Sequence, residues 1–240
     1  MTHIHGGLDS DILSGTDGND VISGADSGDH LTGGKGNDVL YGFGAQDRCA
    51  AGNDVLTGGM GRDLLKGGLG SDTASYATAG GGVRVDLRIH DEQNTKGAGG
   101  DTLVSIENLT GSSHGDYLTG NGQSNRLIGR KGADVLAGDQ GADKFVYLNV
   151  KDSMHVHSDL IADLHSVDVI NPRAIDANTV KGGDQAFHLV TDFTGHTGEP
   201  TLGLDALGNT VIRGHTDGDG KANLVAHVSG DHTGFTHFIL

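Results

Sequence analysis

Gly33-Gly34-Lys35-Gly36-Asn37-Asp38-Val39-Leu40-Tyr41 is the stretch that decides how this chain is read. Its form is Gly-Gly-x-Gly-x-Asp-x-apolar-x, and Gly58 to Lys66 and Gly67 to Ser75 follow the same rule. The glycine-rich first six residues suit a tight turn, because glycine adopts positive φ without steric cost. The last three read as a very short strand with one inward side chain, the eighth of the unit.

Working outward, the same beat runs from near the first residue to about residue 146. Aspartate falls at 11, 20, 29, 38 and 47, then at 54, 63 and 72, and again at 116, 134 and 143 with Asn125 between. Every interval within a run is nine residues except the seven between Asp47 and Asp54. A short fixed period is the signature of a solenoid, in which each unit stacks on its neighbour. The eighth position tests this, and it holds Leu13, Ile22, Leu31, Leu40, Leu56, Leu65, Ala74, Leu118, Leu127, Leu136 and Phe145, all apolar. A disordered glycine-rich linker would keep no such position.

Stacking puts the sixth-position carboxylates in rows, where like charges a strand spacing apart repel. The chain has 16 Lys plus Arg against 32 Asp plus Glu, a formal charge of −16, so it does not supply the balancing cations itself. The one aliphatic side chain that each unit buries offsets only a fraction of the backbone entropy lost in ordering nine residues. The ion-free chain is therefore expected to be largely unfolded, with metal as a structural component. Carboxylates and turn carbonyls, without Cys or His at the repeat sites, call for a hard cation. Flexible carbonyl-rich loops favour calcium over magnesium. The candidate metal ligands are Asp11, Asp20, Asp29, Asp38, Asp54, Asp63, Asp72, Asp116, Asp134 and Asp143.

The repeat resembles the RTX nonapeptide, the calcium-binding parallel β-roll of secreted bacterial proteins. The resemblance implies an all-β, right-handed parallel β-roll with two nonapeptides per coil and several Ca2+ ions between successive turns. Eight repeats then give about four coils before residue 76, and four give about two coils after residue 110. Asp9, Ser27, Ala45 and His114 replace the fourth-position glycine, Asn125 replaces the sixth-position Asp, and Gly42 to Ala50 is degenerate. Weaker or absent calcium is expected at those turns.

Four segments follow: a first array over 1–75, inserted strands and a loop over 76–110, a second array over 111–146, and a C-terminal cap over 147–240. In the insert, Val83 to Ile89 alternates as a strand, His90 to Gly100 is a polar loop, and Asp101 to Thr110 reads as a strand rejoining the stack. In the last segment glycine thins, and four of the six Phe lie there, at 187, 193, 235 and 238. Leu160 to Leu164, Val167 to Ile170, Thr210 to Arg213 and Asn223 to Val228 read as strands. Together they make a β-sandwich-like cap that buries the open end of the roll.

Asp72-Thr73-Ala74-Ser75-Tyr76 and Asp101 to Gly111 are similar to the C-terminal region of serralysin-type metalloproteases. So are Asp143 to Tyr147, Ile175 to Asn178 and Gly182 to Phe187. The same module follows other catalytic domains, alginate epimerases and lipases among them. This resemblance implies a secreted, extracellular protein that carries an uncleaved type I secretion signal in its last segment. Its partners would be calcium ions and the type I secretion apparatus, with a catalytic domain or an extracellular glycan as further candidates. The chain ends Thr236-His237-Phe238-Ile239-Leu240, with His237 where such signals carry an acid. Asn171-Pro172 replaces a more usual Asp-Leu.

The N-terminus lacks the basic and apolar regions of a cleavable signal, and no apolar run has the length of a membrane span. The acidic balance excludes nucleic acid as a partner. No His-Glu-x-x-His is present to hold a catalytic zinc, so the chain reads as non-catalytic by itself. Gly111-Ser112-Ser113-His114-Gly115 has the letters of a nucleophile elbow but is the turn of an in-phase repeat. The single cysteine, Cys49, excludes an internal disulfide and reads as an eighth-position filler. Nine of the 14 His lie after residue 150; His155 with His157, and His232 with His237, have no acidic or Cys partner at ligand spacing and read as exposed polar residues. Asp217 to Asn223 opens like an EF-hand loop but lacks the closing Glu, which leaves a calcium site and a plain Gly-Asp turn equally open.

Overall fold

The computed structural model describes residues 1–240 apart from 45–50, 180–184, 188–189, 191–195, 218, 220 and 240. Asp47, Cys49, Phe193 and Gly182 to Asp184 therefore lie outside the described residues. Within the described set the chain is all β, with 21 short strands and no helix.

The first eight strands are β1 (His3–His5), β2 (Ile12–Ser14), β3 (Val21–Ser23), β4 (His30–Lys35), β5 (Val39–Tyr41), β6 (Val55–Met60), β7 (Leu64–Lys66) and β8 (Thr73–Ser75). Odd strands stack on one face and even strands on the other, all parallel. This is a parallel β-roll. The alternation follows from the repeat, since each glycine-rich turn reverses the chain and hands it to the opposite sheet.

Strand partners within a face are 18 residues apart at Val21 and Val39 but 25 apart at His30 and Val55. The unit from Gly42 to Thr57 thus carries seven extra residues. This corrects the reading of a degenerate fifth unit, Gly42 to Ala50, followed by a shortened one. A Cβ on Gly42 would collide with the Asp54 carboxylate, just as one on Gly33 would with that of Asp38, so Gly42 and Asp54 open and close one unit. Seven units, not eight, precede residue 76.

The insert comprises β9 (Arg84–Asp86), β10 (Gln93–Asn94), β11 (Gly100–Val104) and β12 (Asn108–Thr110). β11 continues the odd face beside β7, and β12 continues the even face beside β8. The segment read as one strand is therefore two, on opposite faces. β10 folds antiparallel onto β11, while β9 starts a new sheet beside the next strand, β13 (Tyr117–Thr119). β14 (Arg126–Ile128), β15 (Val135–Ala137) and β16 (Lys144–Val146) extend the roll. So do β17 (Asp159–Ile161) and β18 (Val169–Asn171), which pair parallel with β15 and β16.

The eighth-position side chains form the core in register. Leu13, Leu31, Leu56, Ala74, Leu109, Leu127, Phe145 and Ile170 line one face. Ile22, Leu40, Leu65 and Leu103 face part of that row, and Val85, Leu118, Leu136, Ile161 and Val228 face the rest. Nearly all are fully buried, each contributing about 1.5–3 kcal/mol of transfer free energy.

The cap adds β19 (Thr201–Leu204), β20 (Thr210–Gly214) and β21 (Leu224–Val228). β21 runs parallel beside β17, and β20 and β19 follow antiparallel. One roll sheet is thus lengthened past the end of the other. Phe187, Ile212, Leu224, Ala226 and Phe238 fill the space against Tyr147 and Ile170, which gives the sandwich-like closure.

Candidate metal centre

The sixth-position residue of each unit sits at the last turn residue before a strand. Its main-chain N–H donates to a carboxylate oxygen one coil further on. Asp20 donates to Asp38, Asp38 to Asp63 and Asp63 to Asp101, at 2.8, 2.8 and 3.1 Å. On the opposite edge Asp11 donates to Asp29, Asp29 to Asp54, and Asp54 to Asp72, each at 2.8 Å. Beyond the insert, Asp116 donates to Asp134 and Asp134 to Asp159, while Asn125 donates to Asp143 and Asp143 to Asp168.

All ten candidate ligands lie on these ladders, and all but the half-buried Asp11 are buried. Four carboxylates on the ladders were not among them: Asp101, Asp159, Asp168 and Glu107, the last accepting the Asp72 N–H at 2.8 Å. Asp101, Asp159 and Asp168 each precede a residue pair with an inward apolar side chain, the same tail as the repeat. Asp159 and Asp168 lack the glycines that would have marked them, and Asp101, although it follows Gly97, Gly99 and Gly100, lies off the nine-residue count because the chain reaches it from the insert.

One oxygen of each carboxylate is thus held by a main-chain donor. The other is the informative one. The Oδ2 atoms of Asp29, Asp38, Asp63, Asp72, Asp134, Asp143 and Asp159 are buried without a hydrogen-bond partner. Leaving a charged acceptor in that state is strongly unfavourable. Burial, with neighbouring carboxylates adding to it against the main-chain donors, pushes the carboxyls of Asp54, Asp63 and Asp134 up to about 7. Asp143 rises to about 6 and Asp159 to about 9, for the same first cause. Asp20 goes the other way, to about 2, held down first by the Thr16 hydroxyl.

Hard-cation chemistry fits these residues. A Cβ on Gly33 would collide with Asp38 Oδ2 and lie 2.5 Å from the carbonyl oxygen of Gly58 in the next coil. On Gly67 it would collide with Asp72 Oδ2 and the Ser105 carbonyl. The orphaned oxygens of Asp29, Asp38 and Asp72 are therefore accompanied by a main-chain carbonyl from the adjacent coil, those of Gly42, Gly58 and Ser105. Among the described residues no three His, Cys, Asp or Glu side chains come together to hold an ion. Carbonyls must complete the coordination, which suits calcium and not zinc.

Other candidates resolve as follows. His155 and His157 flank a tight turn between Met154 and His157, both exposed. Gly111 to Gly115 is the turn before β13, with a strand and no helix after it. In the loop from Asp217, Oδ1 accepts the Asp219 N–H at 3.2 Å and Oδ2 accepts from Asn223 Nδ2 at 3.0 Å. Those oxygens serve their own loop.

The family model described as Peptidase M10 serralysin C terminal matches residues 7–240. None of the curated proteins matches. Among solved structures, the extracellular lipase LipA from Serratia marcescens is 14% identical over 97% of this chain, with a TM-score of 0.30. The chain spans 40% of the length of that lipase.

Proposed function

The chain belongs to the serralysin C-terminal family of peptidase M10, and on that premise we propose a secreted calcium-binding β-roll module. It folds on meeting extracellular calcium after type I export, and it is non-catalytic by itself. The observation that carries this reading is the set of buried, partnerless carboxylate oxygens along the roll.

When bound, the ion supplies positive charge and oxygen coordination beside those carboxylates. The chain's own residues do the rest. Main-chain N–H groups fix one carboxylate oxygen per turn, and at Asp29, Asp38, Asp63, Asp72, Asp134, Asp143 and Asp159 they leave the other without a partner. The aliphatic ladder fills the interior. With a formal charge of −16, the ion-free chain repels itself and stays extended, a state suited to passage through an export channel. Extracellular calcium-binding modules built on EF-hands bind with Kd of about 10⁻⁴–10⁻³ M; sites of comparable strength here would fill outside the cell, and each filled site adds stability by mass action.

The family is by description a C-terminal part, which favours a second reading of the same module: it is carried by a larger secreted enzyme and serves that catalytic domain. Far-ultraviolet circular dichroism during calcium titration and chelation tests the folding claim. The β-type signal should appear with calcium and vanish with chelator, and a signal indifferent to both would refute it.

A further inference from the structure

The turns of the roll fall into two conformations. In the turns that end at Asp29, Asp38, Asp63, Asp72, Asp134 and Asp143, the second and fourth residues both have positive φ. They are Ala25 and Ser27, Gly34 and Gly36, Gly59 and Gly61, Gly68 and Gly70, Arg130 and Gly132, and Asp139 and Gly141. In every one of these six turns the carboxylate Oδ2 is buried and partnerless.

In the turns that end at Asp11, Asp20, Asp116 and Asn125, neither the second nor the fourth residue has positive φ. The N–H of the second residue instead donates to the sixth-position side chain. Gly7 donates to Asp11 and Thr16 to Asp20 at 2.7 Å, Ser112 to Asp116 at 2.6 Å, and Asn121 to Asn125 at 2.7 Å. The same carboxylate oxygen that is orphaned in the first class is satisfied here from within its own turn.

A local cause is visible in three of the four self-closed turns, the fourth having Gly7, without a side chain, at its second position. The side-chain oxygens of Thr16, Ser112 and Asn121 accept the N–H of the fourth residue, from Gly18 at 3.2 Å, His114 at 3.0 Å and Gln123 at 2.9 Å. Such short side-chain-to-backbone links hold the turn in its ordinary right-handed form. The Thr16 and Ser112 hydroxyls also donate to their own carboxylates, at 2.7 and 2.8 Å. In the other class Ala25, Arg130 and Asp139 hold a left-handed conformation that L residues rarely adopt,.

We propose that the conformation of each turn decides whether that turn takes a calcium ion. The six left-handed turns each bind one through the orphaned Oδ2, and the four self-closed turns at Asp11, Asp20, Asp116 and Asn125 bind none. This rests on the calcium reading above and deepens it. It sorts the turns differently from the fourth-position glycine: the turn with Ser27 is open to an ion, and the turn with Gly18 is closed. The turn of Asp54 contains residues outside the described set and is not sorted.

The test counts calcium by calorimetry on the full chain and on four variants, Asp38→Asn, Asp63→Asn, Asp20→Asn and Asp116→Asn. Asparagine keeps the oxygen that accepts the ladder N–H. Asp38→Asn and Asp63→Asn should each lose at least one bound ion, while Asp20→Asn and Asp116→Asn should keep the wild-type count. A crystal of the wild-type chain grown in calcium gives a second readout that needs no variant, with ions expected at the six turns and none at the four. Ions at Asp20 and Asp116 comparable to those at Asp38 and Asp63 would overturn the sorting and leave the calcium reading standing. No calcium uptake by the wild-type chain would overturn both.

Discussion

The main-chain N–H of Asp38 donates to Oδ1 of Asp63 at 2.8 Å, across 25 residues of sequence and one coil of the roll. That bond repeats along both edges and ties the position of every carboxylate to the turn before it. Replacing a mid-roll member such as Asp72 with Ala removes the acceptor for the buried Asp54 N–H and the orphaned oxygen together. In calcium, Asp72→Ala should destabilise the protein by about 1–3 kcal/mol or more. Asp17→Ala, which removes only an exposed pair with Lys35, should change stability by no more than about 0.5 kcal/mol. Thermal denaturation in calcium compares the two, and equal effects would show that the ladder carries no special weight.

Leu40 and Leu56 occupy eighth positions and have 0% exposure. Truncation of either to Ala should cost about 2–5 kcal/mol. Leu207→Ala, on a side chain 86% exposed, serves as the reference and should cost almost nothing. Denaturant midpoints at saturating calcium measure both, and a Leu56→Ala variant as stable as Leu207→Ala would contradict the assigned register.

The repeat made the roll legible in advance. The fixed period, the apolar eighth position and the acidic balance predicted a parallel stack with buried carboxylate rows, and the register follows it strand by strand. What the period hid is physical in origin. Asp47 kept the nine-residue count going, so the seven residues added within the Gly42 to Thr57 unit looked like a deletion; a turn tolerates such an insertion because strand pairing fixes only the residues around Val55,. Asp159 and Asp168 join the ladders without glycine turns before them, and Asp101, though preceded by Gly97, Gly99 and Gly100, lies off the nine-residue count, so spacing alone could not find them. β1 and β19 were missed because Ile4 stands between two histidines and Thr201 to Leu204 contains a glycine. The two turn conformations were not legible in advance, since Gly7 and Gly34 both stand second in their units but fall in different classes, which only backbone and hydrogen-bond geometry separates.

Gly61 has φ +148°, and a Cβ there would collide with the Gly36 carbonyl of the preceding coil. Gly61→Ala should therefore lose more than about 1 kcal/mol. Gly122 has no atom within 4 Å of a built Cβ, so Gly122→Ala should be neutral or slightly stabilising. Melting temperatures in calcium distinguish them, and a well-tolerated Gly61→Ala would rule out the close stacking of the turns.

Without ions the buried carboxyls favour their protonated form, with Asp54, Asp63 and Asp134 raised to about 7 and Asp143 to about 6. An acid raised above its unfolded value of about 4 gives the fold stability that is present below that value and lost as pH rises through the folded one. Metal-stripped protein should thus hold more β structure near pH 5 than near pH 8, within the window of about 4 to 7 that those shifts define. Circular dichroism on chelating-resin-treated protein reads this directly. More structure at the higher pH would show that carboxylate burial does not limit the ion-free fold.

Small-angle scattering of the chain with and without calcium tests most directly the claim that divalent ions complete this core. A compact chain of this length has a radius of gyration of about 20 Å, somewhat more for an elongated roll, and an unfolded one about 50 Å. The calcium-loaded protein should lie near the first value and the fully stripped protein, near neutral pH, close to the second. A stripped chain that keeps the compact radius would contradict the account.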